Sequence, residues 1–292
     1  MPERVAIYFK DNNPKTMDGV DRLVQEFHKR GIKIRIYQKM IKPAESSVWE
    51  VITRPEENTF GSERPDLVLS VGGDGTFLET ILKVKDMGVP IAGVNTGRMG
   101  FLANIPADAI GKSIDMLCDG EFEIIERSLL EMSKPSGIFE GGNASALNEI
   151  TIQKADLSMI TISVFIDGSH LNTYWADGLI VSTATGSTAY NLSVGGPILS
   201  PDDESIIISP IAPHNLTIRP IILSGAGEIR MVIEGRSKEY LTTCDFRSRR
   251  LPFSEEIIIV RAPFKIKTVM LKGSDFYSTL RNKLMWGADT RN

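Results

Sequence analysis

Five residues, Gly72-Gly73-Asp74-Gly75-Thr76, follow the apolar run Leu67 to Val71 without a spacer and open a segment of helical periodicity that reaches about Met87. A strand that ends on glycines and restarts as a helix is the joint of a βαβ unit, and in parallel α/β sheets ligands gather at this carboxyl edge. Three glycines let the backbone approach a ligand closely, and their N–H groups, with the helix N-terminus behind them, favour phosphate oxygens. Asp74 runs against that logic, because a carboxylate repels an anion. It fits one of three roles: accepting a hydroxyl proton during phosphoryl transfer, holding a phosphate-bound metal, or capping a tight strand-to-helix turn.

The flanking sequence supports an α/β first half. Val5 to Phe9 reads as a strand, and Met17 to Arg30 places Val20, Leu23, Val24 and Phe27 on one helical face, with Gly31 as its stop. Strands follow at Ile32 to Ile36 and, after the GGDGT helix, at Pro90 to Val94. Lys42 to Pro65 carries three prolines and little periodicity, which predicts a long connection with the character of a lid or substrate loop. After about Phe122 the pattern changes to short β-like runs: Ile124 to Met132, Ala146 to Gln153, Ile160 to Ile166, Leu171 to Tyr174, Leu179 to Ser182, Leu216 to Leu223, Ile229 to Ile233, Glu256 to Arg261 and Ile266 to Leu271. Asp167-Gly168 is a hairpin signal. The expected fold is a Rossmann-like, mostly parallel α/β domain over residues 1–125, an all-β sandwich-like domain over 126–272, and a segment 273–292 that packs back on the first domain.

A net charge of −4 with no basic block argues against nucleic acid as a partner. The two cysteines and three histidines are scattered, which argues for a reducing compartment and against a protein-built metal cluster. No apolar run approaches the roughly 20 residues needed to cross a bilayer, and the first residues lack a signal-peptide pattern. A cytoplasmic location without membrane contact is the expectation. Neither GxxxxGK[ST] nor a GxGxxG after the first strand is present, so phosphates must be held by another loop.

Further motifs lie downstream. Asn148-Glu149, at a strand start, offers an amide that donates and accepts beside a carboxylate that only accepts, a pair suited to the vicinal hydroxyls of a ribose; an edge-strand polar pair is the plainer reading. In STATGSTAY and just after it, Thr185, Ser187, Thr188 and Ser193 bring hydroxyls to a sharp turn after an apolar strand, either as donors to a planar base or, for Thr185 or Ser187, as a helix N-cap.

GGDGT resembles the signature shared by NAD kinases, diacylglycerol and sphingosine kinases and, as GGDGS, phosphofructokinases. Asn148-Glu149 within ALNEITI and DGLIVSTATGSTAYNLSVGGPIL (Asp177 to Leu199) are similar to the two further motifs of the NAD kinase family, as are NTGRMGFL (Asn95 to Leu102) and FYSTLRNKLMWG (Phe276 to Gly287). This resemblance implies transfer of the terminal phosphate of ATP to the adenosine 2'-hydroxyl of NAD. It implies Asp74 as the catalytic group and Gly72, Gly73, Gly75 and Thr76 as the cradle of a triphosphate carried with Mg2+. The dinucleotide contacts it implies are Asp74, Gly75, Asn148, Glu149, Asp177, Thr185, Thr188, Ala189, Tyr190, Asn191, Leu192, Ser193 and Arg247, in a homodimer or homotetramer. Two departures bear on this set. Trp175 stands where some relatives carry arginine, and Phe246-Arg247 follow Cys244-Asp245 where many have Gly-Gln or Ser-Gln. Arg247, with Arg249 and Arg250 behind it, is either a charged contact near a phosphate or part of a solvated basic turn. Two other readings compete: a lipid kinase of the same superfamily, which needs membrane affinity, and a dinucleotide sensor, which has little use for Asp74.

Overall fold

A computed structural model describes residues 2–37, 64–97, 100–225 and 227–285. The expected lid over 42–65 lies almost wholly outside these residues, as do Arg98 and Met99 of NTGRMGFL and the last two residues of the tail motif. The chain divides into two compact units, Met1–Glu126 with Ile266–Asn292, and Arg127–Lys265.

In the first unit, β1 (Arg4–Phe9), α1 (Pro14–Lys29), β2 (Lys33–Tyr37), β3 (Leu67–Gly72), α2 (Asp74–Val84), β4 (Ile91–Asn95), β5 (Ile105–Pro106) and α3 (Ile110–Asp119) follow one another. The sheet order is β2-β1-β3-β4, all parallel, with β5 also parallel to β4. Alternation of side chains along each strand divides the work between two faces. Val5, Ile7, Phe9, Leu67, Leu69 and Val71 pack with Val20, Leu23 and Phe27 of α1 and Ile110, Ile114 and Leu117 of α3. On α2, Thr80 donates to Ser70 Oγ at 2.9 Å, so β3 meets that helix through its other face. Helix α1 starts where Asn13 accepts the N–H of Thr16 and Pro14 takes the first turn, and it stops at Gly31, whose φ of 69° is the left-handed conformation glycine adopts freely. Helix α3 had no counterpart in the sequence reading, although Ile110, Ile114 and Leu117 recur at helical spacing on its buried face.

The second unit takes in most of β6 (Phe122–Lys134), then β7 (Ser145–Ala146), β8 (Glu149–Lys154), β9 (Ile160–Ile166), β10 (Ser169–Ala176), β11 (Gly178–Ser182), the single turn α4 (Tyr190–Ser193), β12 (Ile206–Ile211), β13 (Ile221–Leu223), β14 (Glu228–Glu234), β15 (Glu239–Cys244), β16 (Arg247–Pro252) and the first part of β17 (Ile257–Leu271). One antiparallel sheet has the order β13-β12-β11-β8-β15-β16; the other runs β10-β9-β14-β17. Ile150, Ile152, Leu179, Val181, Ile206, Ile208 and Tyr240 of the first meet Ile160, Ile162, Val164, Ile229, Met231 and Ile259 of the second in one core, which makes this unit a β-sandwich. The hairpin at Asp167-Gly168 has φ of 48° and 81°, the pattern of a primed turn.

Some expected strands change, and β12, β15 and β16 are strands the sequence did not announce. Leu216 to Leu223 shrinks to β13, because Asn215 draws the N–H of Thr217 to its side chain and turns the chain there. Glu256 to Arg261 and Ile266 to Leu271 join as β17. β12 is wholly buried up to Pro210, so Ile206, Ile207 and Ile208 form a short apolar run with no alternation to read. β16, with Arg249 and Arg250 exposed, is a charged edge strand and not a loose basic turn. Helix α5 (Phe276–Leu284) belongs to the first unit, capped by Asp275, which accepts the N–H of Ser278 at 2.8 Å.

Candidate functional site

In the first unit GGDGT is the junction of β3 and α2. Gly72 has φ of 152°, and a Cβ there would lie 2.4 Å from Thr76 Oγ1, so close packing of strand against helix demands this glycine. Gly73 and Gly75 differ. Both are exposed, and a Cβ at either would meet nothing within 4 Å. The fold does not need them to be glycine; what they leave is bare backbone at a helix N-terminus, whose first N–H groups have no intrahelical partner.

Asp74 is the first residue of α2, and its carboxylate reaches across to the loop after β4. It accepts the N–H groups of Phe101, Leu102 and Ala103 at 2.9, 3.1 and 3.0 Å, and Lys283 Nζ of α5 lies 3.4 Å from Oδ2. Hydrogen bonds to a charged acceptor contribute about 1.5–3 kcal/mol each, so the loop is held firmly. Asn95 adds to it, accepting from Gly97 N and donating to the Ala103 carbonyl. A Cβ at Gly100 would stand 1.8 Å from Asp74 Oδ1, and one at Gly93 would stand 2.6 Å from Ala103 Cα. Gly100 explains part of NTGRMGFL, and Gly93 before it serves the same end: the loop has to lie flat against Asp74 and β4.

In the second unit the turn after β11 folds onto the start of β8. Thr183 donates to the Leu147 carbonyl at 2.5 Å and accepts from Gly186 N, and its own N–H donates to the Asn148 carbonyl. A Cβ at Gly186 would lie 2.1 Å from that carbonyl oxygen. Thr183 is therefore the capping hydroxyl, which corrects the expectation that Thr185 or Ser187 takes that part; Ser187 instead bonds Leu199, and Thr185 accepts from Arg127 Nη1. Asn191 is fully buried, with its amide on the Ser187 and Pro197 carbonyls and its oxygen on Ser209 Oγ. Its side chain has nothing left to offer a dinucleotide, so it leaves the set of side-chain contacts. Thr188, Ala189, Tyr190 and Leu192 are half-buried and Ser193 is exposed.

Asn148-Glu149 sits under this turn. Asp245, at φ 51° in the two-residue turn between β15 and β16, accepts the N–H groups of Leu147, Asn148 and Glu149 at 2.9, 2.8 and 3.2 Å. Glu149 is only 8% exposed, and its Oε2 has no hydrogen-bond partner. Burial first, then the neighbouring Asp245 charge, push its carboxyl up to about 8, against the Tyr190 backbone amide that holds it down. Burial also raises Asp245, opposed by its three amides. With three amides donating to it, Asp245 is the better-stabilised anion, so of the two acids Glu149 is the one that keeps its proton.

Arg247 puts its guanidinium on the carbonyls of Asn143 and Ser145 and over the Phe139 ring, 5.0 Å from its centroid. It braces the chain leading into Asn148. Asp177 pairs with Lys154 at 2.7 Å. It lies at the other end of β11 from the Thr183 turn, about 17 Å of strand away. Within one chain the structure thus gathers residues 143–149, 183–193 and 245–247 and leaves Asp177 out. Sequence reasoning missed Asp245, Thr183 and Lys283 as site-builders; the Cys244-Asp245 step between two alternating runs was the available signal for the first. Among the described residues no group of three or more His, Cys, Asp or Glu could hold a metal ion. Among the described residues no helix is long and apolar enough to cross a membrane.

Comparison with known proteins bears on both units. The family profile described as ATP-NAD kinase N-terminal domain matches residues 5–122, and the one described as ATP-NAD kinase C-terminal domain matches 147–271. An NAD kinase of Cytophaga hutchinsonii is 45% identical over 78% of this chain and 78% of its own length, and one of Christiangramia forsetii is 39% identical over 99% and 100%. Among solved structures, an NAD kinase from Archaeoglobus fulgidus in complex with ATP superposes with a TM-score of 0.74 at 26% identity, covering 97% of this chain and 98% of that one. Yeast NADH kinase complexed with NADH reaches 0.83 at 23% identity over 99% and 89%, a likeness of fold. With profiles over both units and a relative matched along nearly the whole length, the chain belongs to the ATP-NAD kinase family.

Proposed function

We propose that the family's reaction, transfer of the terminal phosphate of ATP to the adenosine 2'-hydroxyl of NAD, is carried out in this chain with Asp74 as the proton acceptor. The 2'-oxygen bonds to the terminal phosphorus, the bond from that phosphorus to the ADP oxygen breaks, and the hydroxyl proton passes to Asp74. The transition state of phosphoryl transfer is loose, so the protein's task is mainly to position groups and offset charge. One observation carries this reading: a carboxylate fixed by three amides stands between two exposed glycines at a helix N-terminus. The backbone of Gly72, Gly73, Gly75 and Thr76 then cradles the triphosphate, and Mg2+ bound with it would offset charge between the phosphates.

Asn148 and Glu149 hold the ribose. Glu149 in its protonated form offers one O–H donor and a free acceptor to vicinal hydroxyls, and its lone Oε2 is the buried polar atom that a ligand would satisfy. Thr188 to Leu192, through backbone and the Tyr190 ring, and Ser193 Oγ line the dinucleotide. Asp177 serves a second copy's ligand in a homodimer or homotetramer, a role resting on the family resemblance, as does the cytoplasmic location.

The test is an end-point assay with NAD, ATP and Mg2+, reading NADP with an NADP-specific dehydrogenase, in wild type and Asp74→Asn. NADP from wild type and its loss in the variant supports the assignment. An Asp74→Asn protein that folds, binds NAD and keeps nearly full turnover sinks it.

A further inference from the structure

The Asp74 carboxylate is saturated with donors. Oδ1 accepts from Leu102 and Ala103, and Oδ2 accepts from Phe101 at 2.9 Å and from Lys283 at 3.4 Å. A carboxylate has about four lone-pair directions, so an incoming hydroxyl must displace one of these partners. Three of them are main-chain amides in a loop that Asn95 also ties down and that Gly100 keeps flat. Lys283 makes the longest contact, and it alone stands on a flexible side chain.

Lys283 also has somewhere else to rest. Its Nζ lies 4.2 Å from the centre of the Phe101 ring, and Phe101 packs on Phe276 of the same helix at 6.5 Å between centroids. The ammonium is therefore shared between a carboxylate oxygen and an aromatic face, both held by α5 and the loop. Moving from one to the other needs only a side-chain rotation.

We propose that Lys283 is a positioning residue of the phosphotransfer reaction: it keeps Oδ2 of Asp74 aimed until the acceptor hydroxyl displaces it, then stays beside that oxygen as a cation. The inference rests on Asp74 as proton acceptor. In the step itself the proton moves from the hydroxyl oxygen to Oδ2 as that oxygen bonds to phosphorus and ADP leaves. Structure alone gives Lys283 little other purpose, because the Lys283 and Asp74 side chains are each 31% exposed, and ion pairs so exposed add little to stability.

The experiment compares kcat, KM for NAD and for ATP, and thermal midpoint in wild type, Lys283→Met, Lys283→Arg, Asp74→Asn and the Asp74→Asn/Lys283→Met double variant. Methionine keeps the packing on Phe101 and removes the charge. The expected result is a fall in kcat of about tenfold or more for Lys283→Met, with KM values within about twofold, an unchanged midpoint, and most of the rate restored by arginine. Because Lys283 acts through Asp74, the double variant should be no slower than Asp74→Asn. A Lys283→Met kcat within about twofold of wild type, a loss that follows the folded fraction, or full additivity in the double variant each overturns the inference and leaves the Asp74 reading standing. Full turnover in Asp74→Asn overturns both. If Lys283→Met does not fold, Lys283→Gln takes its place and is judged in the same way.

Discussion

Asp74 in the first unit gathers the N–H groups of Phe101, Leu102 and Ala103; Asp245 in the second gathers those of Leu147, Asn148 and Glu149. In both places one carboxylate fixes three consecutive amides of another segment. The surroundings differ. Asp74 sits beside exposed glycine backbone and an ammonium that can move away. Asp245 sits beside a buried acid and an arginine already committed to two carbonyls. A clamp with a displaceable partner and open backbone can take part in chemistry, whereas the same clamp with its partners held in place serves as scaffold for the residues it holds.

The sharpest way to break that contrast is to remove the first clamp's charge. Asp74→Asn should lower kcat by about 10²- to 10⁴-fold, the usual worth of a positioned proton acceptor, measured by NADP formation. A loss under about tenfold would make Asp74 scaffold like Asp245.

Next comes the buried acid. The folded-state value of Glu149, about 8, lies above its ordinary 4.5, so the native state holds the proton more tightly than the unfolded chain does. Its contribution to stability is complete below about pH 4.5 and is lost as pH rises to about 8. Glu149→Gln keeps the shape and cannot ionise. Its stability relative to wild type should therefore rise across that window by a few kcal/mol, read by urea unfolding at several pH values. A flat difference would mean that Glu149 is ionised in the native state.

Asp245→Ala should cost about 1–3 kcal/mol by leaving buried amides unpaired, and it should weaken NAD binding, checked by denaturant midpoint and calorimetry. Stability unchanged with kcat abolished would reverse the roles given to the two aspartates. At the small end, Arg249→Ala removes a hydrogen bond to the Ile138 carbonyl at 2.7 Å and a contact 5.6 Å from the Phe139 ring centre, both on an exposed edge strand. It should change stability by about 0.5–1 kcal/mol and leave turnover alone, so a larger effect would extend the brace made by Arg247.

Much of this arrangement was legible beforehand because it is local. An apolar run into GGDGT is strand, turn and helix over consecutive residues, and Asp167-Gly168 needs no distant partner to make its turn. What stayed hidden depends on contacts far along the chain. Asn191 reads as a motif residue but is spent on Ser187, Pro197 and Ser209. Arg247 reads as a charge near phosphate or a solvated turn but braces carbonyls about a hundred residues earlier, at Asn143 and Ser145.

By itself the sequence determined the α/β and β-rich halves, the family and the motifs that carry its chemistry, since periodicity, turn residues and short signatures act through neighbours in the chain. Tertiary structure alone decided which polar groups remain available. Whether a carboxylate is saturated like Asp74, protonated like Glu149 or buried in amides like Asp245 is set by donors and by loss of water around it, and those come from segments the sequence does not place side by side.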